Sequence, residues 1–97
     1  NAAKKVIAGK VRELKAAAQP ELDIRGMAVD EALPVLDNFL DAAYMGNLPN
    51  ARIIHGKGTG VLRAAVQDEL RRCKYVKSFR LGVYGEGESG VTIVEFK

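Results

Sequence analysis

Ile53-Ile54-His55-Gly56-Lys57-Gly58-Thr59-Gly60 joins an apolar, β-branched run to a helix-like segment that opens at Val61. Glycine at every second position lets the backbone approach a ligand closely and adopt positive φ. The following helix offers free N–H groups and a positive dipole end, which favour an anion. The stretch therefore predicts a strand, a phosphate-type loop and a helix, and points to phosphodiester chemistry or phosphate recognition.

The known phosphate loops do not match this spacing. A dinucleotide-binding fingerprint needs glycine at position 61, which is Val61, and a nucleotide-triphosphate loop needs a lysine between glycine and Ser/Thr, whereas Gly58 adjoins Thr59 directly. The loop thus predicts anion binding without assigning the ligand.

Length and composition indicate one globular domain of 97 residues. The chain has no apolar run of membrane-spanning length and no signal-peptide pattern, so we expect no membrane partner. Cys73, the only cysteine, is interpreted as a buried, inert thiol in a reducing cytosol. Because the chain opens with asparagine, we expect a piece of a longer protein, with residues 1–19 as a linker from an upstream domain.

Charge is strongly segregated along the chain. Residues 52–80 carry eight cations and two carboxylates, a net charge of +6. The cations of that region are Arg52, Lys57, Arg63, Arg71, Arg72, Lys74, Lys77 and Arg80. A clustered basic face is typical of a nucleic-acid-binding surface, although Arg71 and Arg72 are equally consistent with a solvated helix face.

Periodicity predicts six elements. The pattern indicates strands at 21–25, 51–55, 76–83 and 91–96, and helices at about 29–45 and 61–73. In the third strand, Phe79, Leu81 and Val83 are expected to point inward and Arg80 outward. The loop 85–90 is interpreted as a flexible turn, and the tyrosines as half-buried edges rather than base-stacking platforms; they are Tyr44, Tyr75 and Tyr84.

The order β-α-β-α-β-β predicts a two-layer α/β sandwich. Its mixed four-stranded sheet should carry both helices on one face and leave the other face open, because two helices cover only one face of four strands. Two βαβ units imply parallel strands with right-handed crossovers, and the short last loop implies an antiparallel final strand.

This topology predicts where the chemistry lies. Ligands of parallel α/β sheets bind beyond the carboxyl ends of the strands. Neighbouring strands lie about 5 Å apart, so Asp23, Arg25, His55 and Lys57 are expected to surround one small area. Each observation has a structural alternative: Asp23 and Arg25 could form only an exposed ion pair, and His55 could only cap the loop.

Two motifs then carry a family resemblance. Leu22-Asp23-Ile24-Arg25-Gly26, followed by His55-Gly56-Lys57-Gly58, resembles the Leu-Asp-x-His/Arg-Gly and His-Gly-x-Gly motifs of the small MutS-related (Smr) domain, over about residues 20–97. Two further stretches resemble the carboxy-terminal domain of the bacterial second MutS paralogue: the continuation to Arg63, and Phe79-Arg80-Leu81-Gly82 with Glu86-Gly87. Glu88 departs from the glycine expected there.

The resemblance implies a fold like that of the carboxy-terminal domain of translation initiation factor three. It also implies a nicking endonuclease domain, acting on DNA and in some relatives on RNA, in the bacterial cytoplasm. The implied parent is a homodimeric ATPase linked to recombination suppression and ribosome rescue. The implied partners are branched DNA or recombination intermediates, and RNA or the ribosome.

The residue types suggest roles in phosphodiester cleavage. His55 is predicted to transfer protons, and Asp23 to orient His55 or Arg25 or to bind a divalent ion, magnesium or manganese. Since magnesium sites draw on several oxygen ligands, a metal requirement is left open. Phosphate contacts are predicted for Arg25, Lys57 and a wider set comprising Gly56, Gly58, Thr59, Gly60, Arg63, Arg80, Arg52 and Lys77.

Two other functions fit the same features. A binding module without catalysis would use the same basic surface and loop to anchor its parent on branched DNA or a ribosome. A dimerisation domain would use the open face of the sheet, but the charges predicted on that face favour it less.

Overall fold

The computed structural model describes residues 20–97, so the predicted linker at 1–19 lies outside the described residues. The chain forms β1 (Glu21–Asp23), α1 (Val29–Met45), β2 (Asn50–Ile54), α2 (Val61–Arg72), β3 (Val76–Leu81) and β4 (Val91–Phe96). The predicted order of elements is confirmed. β1 and β3 are each two residues shorter at their carboxyl ends than the sequence pattern indicates.

The sheet has the order β1-β2-β4-β3. β1 and β2 pair in parallel, and β4 pairs antiparallel with both β2 and β3. β2 and β3, which α2 connects, are therefore separated by one strand, β4. The predicted mixed sheet and the antiparallel last strand are both confirmed.

The hydrophobic core lies between the helices and one face of the sheet. Buried side chains of α1 and α2 pack against alternate positions of the strands; they include Leu36, Phe39 and Leu40 from α1, Val66 and Leu70 from α2, and Leu22, Ala51, Ile53 and Val94 from the sheet. Both helices therefore cover the same face, as predicted. Cys73 packs against this core but is half-buried rather than buried as predicted.

Among residues 20–97, no helix covers the other face of the sheet, here called the open face. Register aligns Glu21, Arg52, Ile93 and Arg80 in one row across it. Arg80 thus points to the predicted face. No helix within residues 20–97 has the length and apolar character needed to cross a membrane.

The connection between β3 and β4 differs from the prediction. Leu81 and Val83 are exposed rather than turned inward, and Tyr84 is 93% exposed. By contrast, Tyr44 and Tyr75 are half-buried, as predicted; their rings stack at 4.4 Å between centroids. Because the strand ends at Leu81, the alternation predicted for it does not extend to Val83.

Candidate functional site

The carboxyl ends of β1, β2 and β3 meet at one edge of the sheet, here called the carboxyl edge. The amide of Ile24 donates to the carbonyl of Ile54 at 2.9 Å, which extends the parallel pairing to the ends of β1 and β2. Arg25 therefore lies beside Gly56: its Cγ is 3.4 Å from the position that a Cβ on Gly56 would occupy. The carboxyl edge thus joins the two motifs singled out in the sequence.

Asp23 and Arg25 form a tight local pair. The guanidinium donates from Nε and Nη2 to the carboxylate, with the shortest contact, Nη2 to Oδ2, at 2.6 Å. The backbone amide of Arg25 donates to Oδ1 at 3.0 Å, which fixes the carboxylate. The hydrogen bonds and the charge of Asp23 raise the pKa of Arg25. The sequence predicts that Asp23 orients His55 or Arg25. In the structure, Asp23 bonds Arg25.

Residues 56–60, here called the glycine loop, lead directly into α2. Gly60 precedes the helix with φ of 87°, a conformation that favours glycine. The side chain of Arg63 folds back over it, with Nη2 2.8 Å from the position of a Cβ there. The Thr59 hydroxyl accepts from the amide of Val61 at 3.4 Å. The loop thus gathers a helix N-terminus and an arginine at the carboxyl edge.

His55 occupies a place that the sequence does not predict. Its side chain is 5% exposed and lies on the helix-covered face of the sheet. Nδ1 lies 2.9 Å from the carbonyl oxygen of Gly56, and Nε2 lies 2.8 Å from Oγ1 of Thr92, which is fully buried. Because a carbonyl only accepts, Nδ1 carries the proton, and in the neutral ring Nε2 accepts from the threonine hydroxyl.

These bonds do not fit the proton-transfer role predicted for His55. Both ring nitrogens are used inside the protein, where the ring joins the glycine loop to β4. Burial, reinforced by the charge of Arg63, lowers the pKa of His55, against the opposing effect of its bond to Gly56. The geometry is that of a neutral histidine that positions the loop.

Lys57 lies on the exposed side of the same loop. Its Nζ is 3.9 Å from Oε2 of Glu88, and both side chains are more than half exposed. Gly90 supports the loop from beneath, because its carbonyl accepts from the amides of His55 and Gly56 at 3.1 and 2.9 Å. The lysine side chain is therefore exposed and weakly paired, whereas the backbone of its loop is fixed by hydrogen bonds.

Three of the predicted phosphate contacts lie elsewhere. Arg80 is in β3, three strands from Asp23, and bonds Glu86 at 2.7 and 3.1 Å. Lys77 is at the opposite end of β3 and pairs with Glu95 at 3.6 Å. Arg52 lies within the open face and contacts Glu21 at 3.5 Å. The sequence places all three in one basic region, whereas the fold separates Arg52 and Lys77 from the carboxyl edge and places Arg80 near the end of β3, three strands from β1.

A cleft of about 320 Å³ opens beside the glycine loop. The β1–α1 connection forms one wall, with Gly26 and Met27, and the loop and start of α2 form the other, with His55 at the boundary. The site as a whole combines a paired carboxylate and guanidinium, a lysine, and a loop at a helix N-terminus.

Two contributors were not predicted. Thr92 holds His55, and Gly90 holds the backbone of the glycine loop. A signal for Thr92 exists in the sequence: it is the one hydroxyl in the apolar run Val91-Thr92-Ile93-Val94. A polar residue in a buried strand needs a hydrogen-bond partner.

The fold and site define a class: a two-layer α/β domain with a glycine-rich loop before a helix N-terminus at the carboxyl edge of a mixed sheet. The family pattern of the Smr domain matches residues 22–97. The chain therefore belongs to the Smr domain family.

Sequence relatives agree with this assignment. The chain is similar to the protein named Endonuclease MutS2 of Lachnoclostridium phytofermentans, at 54% identity over 94 residues, which cover 96% of this chain and 12% of that protein. It is 57% identical over 76 residues to Endonuclease MutS2 of Caldicellulosiruptor bescii, covering 78% of this chain and 10% of that protein. The chain thus spans about a tenth of the length of these relatives.

Solved structures agree as well. The Smr domain of Thermus thermophilus MutS2 matches with a TM-score of 0.77 and 47% identity, covering 79% of this chain and 96% of that chain. YdaL, a stand-alone small MutS-related protein from Escherichia coli, matches with a TM-score of 0.78 at 24% identity over 92% of this chain and 75% of that chain. At that identity, the second match supports the fold alone.

Proposed function

We propose that this chain is a nucleic-acid endonuclease domain whose site is the carboxyl edge. The observation that carries the proposal is the position of Arg25, paired to Asp23 and lying directly against Gly56 of the glycine loop. A carboxylate, a cation and a helix N-terminus meet there. The relatives named Endonuclease MutS2 support the same activity.

Phosphate binding uses the exposed cations and the loop. The bonds from Arg25 to Asp23 use Nε and Nη2, so the guanidinium is held in place and Nη1 would donate to a phosphate oxygen of the substrate. Lys57 supplies a second charge, and the glycine loop with the N-terminus of α2 supplies amide donors. Donors fixed before the substrate arrives stabilise the charge that develops on the phosphorane.

Asp23 activates the attacking water. Its side chain is 39% exposed, so solvent reaches it while Arg25 holds it in place. The carboxylate accepts a proton from water, the new oxygen bonds to phosphorus, and the bond to the leaving oxygen breaks. A solvent proton neutralises that oxygen. His55 positions the glycine loop and takes no proton in this step.

A divalent ion at this site would rely mainly on the substrate. Within residues 20–97, no three His, Cys, Asp or Glu side chains are grouped as metal ligands. The oxygens of Asp23 already bond Arg25. A magnesium or manganese ion would therefore take most of its ligands from phosphate and water.

The parent protein sets the biological substrate. By likeness to the MutS2 relatives, we propose a homodimeric bacterial ATPase that acts in the cytoplasm on branched DNA or recombination intermediates, or on RNA at the ribosome. A non-catalytic binding module is the second candidate function, because the same cations and loop also serve binding alone.

Single-turnover cleavage tests the proposal directly. End-labelled single-stranded DNA, duplex DNA, branched DNA and RNA are incubated with excess protein, with magnesium or manganese and with a chelator. We expect nicked products from at least one substrate. Intact substrates under every condition, despite measurable binding, would replace the nuclease with the binding module, and the chelator series reports the role of metal.

Glu88→Gln is expected to tighten nucleic-acid binding. The variant removes a carboxylate 3.9 Å from Lys57 that competes with phosphate for the lysine. An exposed pair of this kind contributes little, so affinity at low salt should rise by about two- to five-fold, and the gain should shrink as salt rises. The measurement is a salt titration of binding by fluorescence anisotropy.

Asp68→Asn is the matched control, since it also removes an exposed carboxylate paired with a cation, Arg71, but on α2. It should leave affinity within about two-fold of the parent. Equal gains in both variants would mean that only net charge matters and would remove Lys57 from the proposed contact.

A further inference from the structure

The turn between β3 and β4 is closed by several hydrogen bonds. The amide of Glu86 donates to the carbonyl of Val83 at 2.9 Å, and Gly85 has φ of 88°, as in a type II turn. The amide of Val83 donates back to the Glu86 carboxylate at 3.0 Å. Residues 83–86, here called the 83–86 turn, are therefore held at both ends.

Arg80 anchors this turn to the sheet. Its guanidinium forms two bonds to Glu86, at 2.7 and 3.1 Å, and one to the carbonyl of Leu81 at 3.2 Å. The bonds from Arg80 and from the Val83 amide lower the pKa of Glu86 to about 2, so the anchor stays charged at neutral pH. Arg80, for which the sequence predicts a phosphate contact, thus fixes the backbone of a turn.

What this rigid turn presents to solvent is apolar. Tyr84 occupies the corner of the turn and is 93% exposed, and Val83 is 58% exposed. Five large apolar side chains are exposed among residues 20–97, and four of them lie at the carboxyl edge: Val61, Leu81, Val83 and Tyr84. The fifth, Met45, ends α1 at the opposite edge.

The turn also lies close to the glycine loop. Glu88, four residues after Tyr84, reaches to 3.9 Å from Lys57. β3 is two strands from β2, a separation of about 10 Å. The turn and the glycine loop are therefore close enough for one strand of nucleic acid to contact both.

Resting on the proposed function, we propose that the 83–86 turn is a base-binding subsite in which Tyr84 stacks on an unpaired nucleobase near the phosphate held by the glycine loop. The substrate class is thereby single-stranded or locally unpaired nucleic acid. A duplex hides its base faces and would offer the ring no partner. Unpaired bases expose those faces, and aromatic side chains bind them without sequence preference.

Rigidity makes this subsite effective. An aromatic ring on a preformed turn loses little conformational freedom on binding, so more of the stacking energy appears as affinity. Cations and exposed apolar side chains lie together at the carboxyl edge. This combination suits a nucleic-acid strand, which presents phosphates and bases together.

Binding by Tyr84→Ala tests the subsite. The probes are 12-nucleotide oligothymidine, an abasic strand with the same phosphates, and a DNA duplex of equal length. Tyr84→Ala should bind oligothymidine about 5- to 150-fold more weakly, the range for loss of one stacked base. Its affinities for the abasic strand and the duplex should stay within about two-fold of the parent.

Two control variants sharpen the result. Tyr84→Phe keeps the ring and should bind oligothymidine like the parent. Met45→Ala removes another exposed apolar side chain, at the opposite edge of the sheet, and should change nothing. The chain has no tryptophan and three tyrosines, two of them half-buried, so quenching of tyrosine emission by oligothymidine should vanish in Tyr84→Ala.

The outcomes separate this inference from the proposed function. Unchanged binding of oligothymidine by Tyr84→Ala, or equal losses with the abasic strand, would overturn the subsite and leave a protein surface as the role of the exposed ring, whether or not the parent cleaves. Selective loss with oligothymidine supports the subsite, even if the parent binds without cleaving and the nuclease proposal fails.

Discussion

Asp23→Asn is expected to reduce cleavage by about 10²–10⁴-fold while the domain keeps its fold, since that range is typical for loss of a general acid or base. Asparagine preserves the shape of the side chain and one acceptor, but it cannot accept the proton of the attacking water. The measurement is the single-turnover rate under the condition in which the parent cleaves fastest.

The fold should be unaffected because the pair with Arg25 is exposed at the end of β1. Exposed ion pairs contribute little to stability, so the variant should melt within a few degrees of the parent. Binding should also persist, since Arg25 and Lys57 remain. A variant that cleaves like the parent would remove Asp23 from the proposed mechanism.

Glu21→Gln is the matched control for this experiment. Glu21 lies on the same strand and the same face as Asp23, and its carboxylate also has an arginine partner, Arg52, at 3.5 Å. Loss of its charge should leave the rate within about two-fold of the parent. Equal losses in both variants would indicate a general electrostatic effect rather than a specific role for Asp23.

The layers of this fold follow from local patterns in the sequence. The helical spacing of Leu36 and Leu40, and the alternation around Ala51 and Ile53, each assign a face, and these faces pack together in the structure. Connection rules then predict helices on one side of the sheet. Local periodicity and chain connection therefore account for the confirmed architecture.

The position of β4 is less accessible to sequence reasoning. A short loop predicts an antiparallel strand but not that it inserts between β2 and β3. One signal favours the central position: Val91, Thr92, Ile93 and Val94 are all buried, as the continuous apolar run would suggest. Strand order depends on contacts between distant segments, and a single sequence reports those weakly.

Side-chain pairing and strand position explain why the sequence could not place every residue of the predicted site. Charge counting groups Arg80 and Lys77 with Lys57, but Arg80 bonds Glu86 and Lys77 pairs with Glu95. Glu86 comes from the β3–β4 connection and Glu95 from β4, so neither partner lies within residues 52–80. Tyr84 illustrates the same limit, because its exposure depends on where β3 ends and how the next turn folds.

His55→Gln is expected to destabilise the domain most strongly near neutral pH, and to do so less as the pH falls. Each buried hydrogen bond that is lost leaves its partner unsatisfied, which costs about 1–3 kcal/mol. Glutamine restores one bond at best, so we expect a loss of about 2–3 kcal/mol at pH 8. For a domain of this size, that is roughly 10–20 °C in melting temperature.

The pH dependence has a definite sign. Burial lowers the pKa of His55 in the folded state, so between that pKa and the unfolded value of about 6.5 the unfolded chain binds more protons. Stability from the neutral imidazole is then fully present above pH 6.5 and is lost as the pH falls through the folded pKa. The difference in unfolding free energy between the parent and His55→Gln should shrink over that window.

Urea unfolding at pH 5, 6, 7 and 8 measures this difference. His55 is the only histidine, and other groups cancel because both proteins contain them. One of these groups is Asp37, whose pKa is raised to about 6 by burial and by Glu69. Its contribution to the pH dependence of stability therefore has the opposite sign to that of His55.

Thr92→Val keeps the imidazole but removes the hydroxyl bonded to Nε2, and should cost about 1–3 kcal/mol. If the parent and His55→Gln instead keep a constant difference from pH 5 to 8, the imidazole does not titrate as a buried, neutral support, and proton transfer by His55 returns as the better account of the motif.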